Sequence, residues 1–144
     1  MNAAEMWERF CEKSGVHGNY EVWAFGDAPD ALAELVLNGV KTATSSSYPI
    51  YEQAREPVPK AGDYSVILNT KGEAVCVIRT TKVSVVPFRE VSAGHAFLEG
   101  EDDRSLESWR EVHRDFFTRE MNAGGLRFDE DMPVVCEEFM RVYP

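Results

Sequence analysis

Lys41 and Thr44, three residues apart, are the pair whose types and spacing best suit covalent chemistry in this chain. A threonine hydroxyl is a weak nucleophile until a base takes its proton, and a lysine serves once it has lost its own. Burial or a neighbouring cation favours that loss; a nearby carboxylate opposes it, but can orient groups or shuttle protons. The pair lies in NGVKTATSSSYPIY, residues 38–51, which has one lysine, five serines and threonines, two tyrosines and no acidic residue. On a regular strand, positions i and i+3 point to opposite faces, so the two act together only if the chain bends. Gly39 makes irregular backbone plausible there. The plain alternative is a solvated Lys/Thr/Ser turn.

A second group of ionisable residues lies in LEGEDDRSLESW: Glu99, Glu101, Asp102 and Asp103. These carboxylates either lead a helix or supply one acid/base residue. Their spacing does not fit a calcium loop, and no metal site is expected. His17, His95 and His113 are not paired at metal-ligand spacing and read as structural or surface residues. Phosphate-loop, dinucleotide, zinc-protease and serine-hydrolase signatures are absent, and no cofactor is expected. Three cysteines without close spacing, Cys11, Cys76 and Cys136, argue against a disulfide framework; Cys76 and Cys136 read as buried thiols.

The elements that must position these residues follow from periodicity. AAEMWERFCEK, residues 3–13, is a short amphipathic helix with Met6, Phe10 and Trp7 on its apolar side. YEVWAFG, from Tyr20, is extended. A second helix runs from Pro29 to about Asn38, with Pro29 at its first position, Leu32, Leu35 and Val36 inward, and Gly39 as its stop. Residues 64–69 and 73–88 are antiparallel strands around a TKG turn. A helical turn and an acidic loop come next. Ser105 caps a third helix carrying Leu106, Trp109, Val112 or His113, Phe116 and Phe117, which ends near residue 122. Residues 132–143 form a last strand. This order predicts an α+β domain around a curved antiparallel sheet or small barrel, one domain over 1–144.

The 144 residues suit one domain, and 44% hydrophobic content supplies a core. No apolar run is long enough to span a bilayer, and no signal pattern opens the chain, so a cytoplasmic protein is expected. The net charge of −10 is uneven. Residues 41–89 carry seven basic and four acidic side chains, whereas 90–144 carry six and fourteen. An acidic chain is a poor general nucleic-acid binder. Its positive middle either forms one pocket for a small anionic or nucleotide-like ligand or is ordinary charge scatter.

The segments ALAELVLNGVKTATSSSY, AGDYSVILNTKGEAVCVIRTTKVSVVPFREV, FLEGEDDRSLESWREVHRDFF and DMPVVCEEF together resemble the ASCH-domain family. The closer likeness is to its stand-alone bacterial branch of about this length, long uncharacterised. The most specific match is G-x-K-T-x-T, here Gly39, Lys41, Thr42 and Thr44. The resemblance implies a PUA-like fold, a small β-barrel with flanking helices. PUA-like domains commonly bind RNA, and related ASCH proteins have been linked to cleavage of single-stranded RNA. A shorter group in the family hydrolyses the acetyl amide of N4-acetylcytidine with the lysine and second threonine of this motif and a glutamate. Carried over, Lys41 resembles the base and Thr44 the nucleophile. Glu101 is the best match for the glutamate, with Glu99 or Asp102 fitting if the loop shifts. This chain departs from that group in its longer N-terminus and in the run Ser45–Ser47.

Three functions follow as expectations. The first is an amidohydrolase on an acylated cytosine nucleoside or similar small amide, with Lys41, Thr44 and Glu101 catalytic and Thr42, Ser45, Tyr48, Tyr51 and Arg79 binding substrate. The second is a binder or nuclease of single-stranded RNA, with Lys41, Arg55, Lys60, Arg79 and Lys82 on phosphates and Tyr48, Tyr51 or Trp23 stacking on bases. The third is a non-enzymatic binder of a nucleotide-like ligand. The oligomeric state is left open.

Overall fold

A computed structural model describes all 144 residues. Helix α1 spans Ala3–Ser14; the Asn2 side chain accepts the Glu5 N–H at its start, and Gly15 in the left-handed region ends it. Helix α2 spans Pro29–Leu37 with Pro29 in its first turn. Helix α4, Ala93–Glu99, is the expected helical turn before the acidic loop. Helix α5, Leu106–Ala123, is capped by the Ser105 hydroxyl and buries Trp109, His113, Phe117 and Met121. His113, not Val112, therefore takes the inward position.

Five strands make one sheet in the order β1-β3-β4-β5-β2. They are β1 Glu21–Trp23, β2 Ala43–Ser47, β3 Tyr64–Leu68, β4 Ala74–Pro87 and β5 Pro133–Tyr143. Strands β3 and β4 form the expected hairpin, whose turn is closed by the Asn69 N–H donating to the Glu73 carbonyl. The sheet is not wholly antiparallel: β1 runs parallel to β3. The long strands β4 and β5 shift register at Val77/Ile78 and again at Thr80/Lys82. Such irregularities bend a strand and tighten its twist. The sheet curls into a half-barrel whose two free edges are β1 and β2.

Two elements fall in the stretch read above as irregular. Residues 43–47 are strand β2, paired antiparallel with β5, and Tyr48–Ala54 form helix α3. ATSSS has no apolar alternation to announce a strand. It is one because β5, a strongly β-forming strand, offers it an edge, so tertiary pairing overrides weak propensity.

Three apolar clusters fill the interior. Phe88, Val91, Trp109, Phe117, Met121 and Val134 anchor one under α4 and α5. Phe25, Val36, Ile67, Ile78 and Phe139 anchor the second, and Met6, Trp7, Phe10 and Val66 the third beneath α1. Cys76 and Cys136 are buried as expected, and burial pushes both thiols up to about 12. No helix is long and apolar enough to cross a membrane.

Candidate active site

Lys41 leaves the end of α2, where its N–H donates to the Leu35 carbonyl, and sits two residues before β2 begins. Its side chain is among the most buried in the protein, at 1% exposed. Three acceptors surround Nζ: Glu101 Oε2 at 2.9 Å, Glu99 Oε1 at 3.3 Å and the Glu99 carbonyl at 3.4 Å. Two of the three carboxylates carried over for the glutamate's role, Glu99 and Glu101, therefore reach the lysine, one from the last turn of α4 and one just beyond it. Asp102 is turned to the Ser108 hydroxyl instead.

Glu99 is the hub. Its Oε2 accepts from Trp109 Nε1 and from Ser45 Oγ, each at 2.5 Å, and lies 3.1 Å from His95 Nε2. Its Oε1 lies 3.5 Å from His113 Nε2, while His113 Nδ1 is 2.9 Å from the Trp109 carbonyl. Burial alone would push the Glu99 carboxyl up. Lys41, His113 and His95 outweigh it and hold the group well below the usual carboxylate range. At Glu101 burial wins: aided by the Glu99 charge, it raises the carboxyl despite the Lys41 ammonium. His113 also ends above its ordinary value, because its hydrogen bond and attraction to Glu99 overcome desolvation. Of the three histidines read as structural or surface, His17 is exposed away from this network, whereas His95 and His113 belong to it. Their signal was present as His95–Glu99 on α4 and Trp109–His113 on α5, each at the i, i+4 spacing that puts two side chains on one helix face.

Glu99, Glu101 and His113 place ligand atoms within 4.8 Å of one another. The Lys41 ammonium already sits against both carboxylates of that set, so a divalent cation there would have to displace it.

Gly100 makes the arrangement possible. It ends α4 with φ of +73°, and a Cβ there would lie 2.6 Å from the Val40 carbonyl oxygen. Only glycine lets the chain turn this tightly against the Lys41 segment and present Glu99 and Glu101 together. Gly100→Ala should therefore cost about 3 kcal/mol, from left-handed strain plus overlap with unyielding backbone. A drop in the urea midpoint with unchanged slope would register it.

The free edges β1 and β2 flank a cleft of about 880 Å³. Thr44, Ser45 and Ser46 line it from β2, Trp23 and Phe25 from β1 and its extension, Tyr51 from α3, and Phe116 and Glu120 from α5. Lys41 is not among its walls, although the Phe25 ring, which is, lies 5.2 Å from Nζ. No hydrogen bond joins Lys41 to Thr44. Ser45 bridges the two regions, lining the cleft while bonding Glu99.

Of the expected substrate-binding residues, Ser45 and Tyr51 line the cleft; Thr42, Tyr48 and Arg79 do not. The backbone and hydroxyl of Thr42 are directed at the Leu98 carbonyl. Tyr48 opens α3 outside the cleft, and Arg79 is exposed on β4 with its guanidinium over Tyr64. The expectation of a positive pocket is also corrected. Glu21, Glu56, Asp63, Glu120 and Glu137 line the cleft against one cation, Lys60, which is itself paired with Asp63 at 2.8 Å. Charge summed along the chain misleads because Lys41 is buried among carboxylates and Arg79 and Lys82 lie elsewhere.

Comparison with known proteins agrees with this architecture. The ASCH domain model matches residues 21–143, and the chain belongs to that family. Its structure is similar to the ASCH domain from Lactobacillus crispatus JV V101, with TM-score 0.87 and 35% identity over 98% of this chain and 94% of that one. It is also similar to protein EF3133 from Enterococcus faecalis V583, with TM-score 0.91 and 38% identity over 99% of this chain and 88% of that one. The hypothetical protein PH0355, at 18% identity and TM-score 0.56, shares the fold. No protein of curated function matches the chain. The PUA-like α+β architecture is thereby established.

Proposed function

We propose that this ASCH protein is a small-molecule amidohydrolase acting on an acylated cytosine nucleoside or a similar small amide. The observation that carries the reading is the cleft. It is nucleoside-sized, has aromatic walls and carboxylates, and presents Thr44 at its edge strand. Thr44 Oγ1 attacks the acyl carbon, and its proton passes to Lys41. For Lys41 to accept it, one of its own protons must leave first, and Glu101 at 2.9 Å, raised by burial, is placed to take it. Glu101 then carries the proton that the departing amine requires, and water cleaves the resulting acyl-threonine ester, releasing the carboxylic acid and restoring the Thr44 hydroxyl. Catalytic hydrogen bonds commonly tighten only once substrate is seated, so Lys41 and Thr44 need not touch beforehand.

The RNA reading is less well supported. Of its expected phosphate contacts, Lys41 is buried in ion pairs, Lys60 is paired with Asp63, and Lys82 lies 3.9 Å from Glu138. An acidic cleft repels a phosphodiester backbone and tolerates a neutral nucleoside.

The test is release of cytidine from N4-acetylcytidine by the purified protein. Turnover is expected, changing by no more than about twofold between about 50 and 200 mM salt. A phosphate-dominated interaction loses about a thousandfold or more over that interval. Absence of turnover over hours at high enzyme concentration would overturn the amide reading. Salt-sensitive cleavage of single-stranded RNA in its place would establish the alternative.

A further inference from the structure

Glu137 takes no part in the chemistry above, yet it is the most deeply buried carboxyl on the cleft wall. It is 5% exposed, and its Oε2 accepts the Thr80 hydroxyl at 2.6 Å. Its Oε1 makes no hydrogen bond within the protein, and the residue lines the cleft. Its place is fixed by strand register: Glu137 of β5 lies directly opposite Thr44 of β2. Residues so paired share a face, with Cβ atoms about 5 Å apart. A buried carboxyl with one oxygen anchored and the other open to a ligand cavity is built to recognise something.

We propose that Glu137, in its protonated form, reads the amidine edge of a cytosine-type ring, the ring nitrogen together with the exocyclic N–H. This rests on the nucleoside reading of the cleft and adds the residue that selects the base. Protonated on Oε1, the carboxyl donates to the unprotonated ring nitrogen. Oε2, which has a second lone pair beyond the one used by Thr80, accepts the exocyclic N–H. Uracil presents the inverse pattern, an N–H and a carbonyl, so a carboxylic acid in this orientation meets it with donor against donor. The geometry also fits the reaction. In an N4-acylated cytosine the acyl carbon is separated from the ring nitrogen only by the exocyclic nitrogen and one ring carbon. The residue reading the ring and the residue attacking the acyl group must therefore be close neighbours, and Glu137 and Thr44 are.

The surroundings favour the protonated form. Burial pushes Glu137 up, Asp63 at the start of β3 adds to that, and the Thr80 hydrogen bond opposes it. The other titratable groups lining the cleft are Tyr20 and Glu21 at β1, Tyr64 of β3, Glu56, Lys60, which is held by Asp63, and Tyr51 of α3 and Glu120 of α5, the last two also raised by burial. A group whose value is raised keeps its proton at low pH and loses it as pH rises. Recognition of cytosine should therefore weaken towards alkaline pH.

The experiment is calorimetric titration of the wild type, Glu137→Gln and Glu137→Leu with cytidine, uridine and 3-deazacytidine, which lacks the ring nitrogen. The range is about pH 5 to about pH 9, which starts above the ordinary carboxylate value and extends in the direction in which burial moves Glu137. The wild type should prefer cytidine to uridine and to 3-deazacytidine by about tenfold or more, the scale of one buried hydrogen bond. Its cytidine affinity should fall by a similar factor towards pH 9. A glutamine amide has the same donor and acceptor as the protonated acid, so Glu137→Gln should keep the preference and lose the pH dependence. Glu137→Leu should lose both, and Glu138→Gln, next along β5 but outside the cleft, neither. Thermal unfolding of each variant checks that the fold is retained. Cytidine binding by the wild type that is independent of pH, or preserved in Glu137→Leu, overturns the role of Glu137 while leaving the cleft a nucleoside site. Failure of the wild type to bind any of the three overturns the nucleoside reading, and this inference with it.

Discussion

Glu99→Leu should destabilise the protein by about 3–5 kcal/mol, the usual consequence of removing one partner from a buried ion pair. The variant strips Lys41 of a carboxylate that is buried with it. It also leaves Trp109 Nε1 and Ser45 Oγ without their acceptor. Chemical denaturation followed by tryptophan fluorescence would measure the loss. A Lys41→Met/Glu99→Leu double variant should recover part of it, because the uncompensated charge leaves with the lysine. The pH profile should change as well. Glu99 is held below its ordinary 4.5, so its contribution is complete above that value and is lost as pH falls through the depressed one. His113 is held above its ordinary 6.5, so its contribution is present below that value and is lost as pH rises through the raised one. Wild-type stability should decline on both sides of an interval bounded by these groups. Glu99→Leu should flatten both limbs, since His113 loses the partner that raises it. A variant within about 1 kcal/mol of wild type would show that Glu99 is not the structural hub described here.

The second large effect is on turnover. Thr44→Ala should lower the hydrolysis of N4-acetylcytidine by about a thousandfold or more, the scale of removing a nucleophile, and leave cytidine binding within about twofold. Thr44 is only half-buried and Lys41 does not depend on it, so the melting temperature should stay within about 2 °C. This variant separates an enzyme from a non-enzymatic binder more cleanly than Lys41→Ala. The lysine, 1% exposed and holding two carboxylates, cannot be removed without disturbing the fold. Full activity in Thr44→Ala would exclude a threonine nucleophile.

Much of this was legible in the sequence because its signals are local. The Ser105 cap, Pro29, the turn after Asn69 and the apolar stripe of α5 each report on a few neighbouring residues. Strand β2 was not legible: its identity comes from β5, about ninety positions further along the chain. Glu101 could be placed near Lys41 by family likeness, but the position of Glu99 between Lys41, Trp109 and two histidines could not. That meeting depends on how α4 and α5 pack, and on the tight approach of Gly100 to Val40. Glu137 was hidden for a similar reason. In VVCEEF it reads as one of two acidic residues in the middle of a strand, and only the register with Thr44 and the bond from Thr80 distinguish it from Glu138.

The half-barrel has a mechanical consequence. A ligand lodged between β1 and β2 would act as a cross-brace joining the two edges that backbone hydrogen bonding leaves apart. Those edges are the thinnest part of the sheet: β1 has three residues and β2 five. Occupancy would therefore be felt first as slower amide exchange along these two strands, ahead of any change in β4 or β5. Stabilisation would grow logarithmically with ligand concentration, as mass action requires. In such a fold a ligand would be the missing stave of the barrel, so that filling the cleft and stiffening the sheet would be one event.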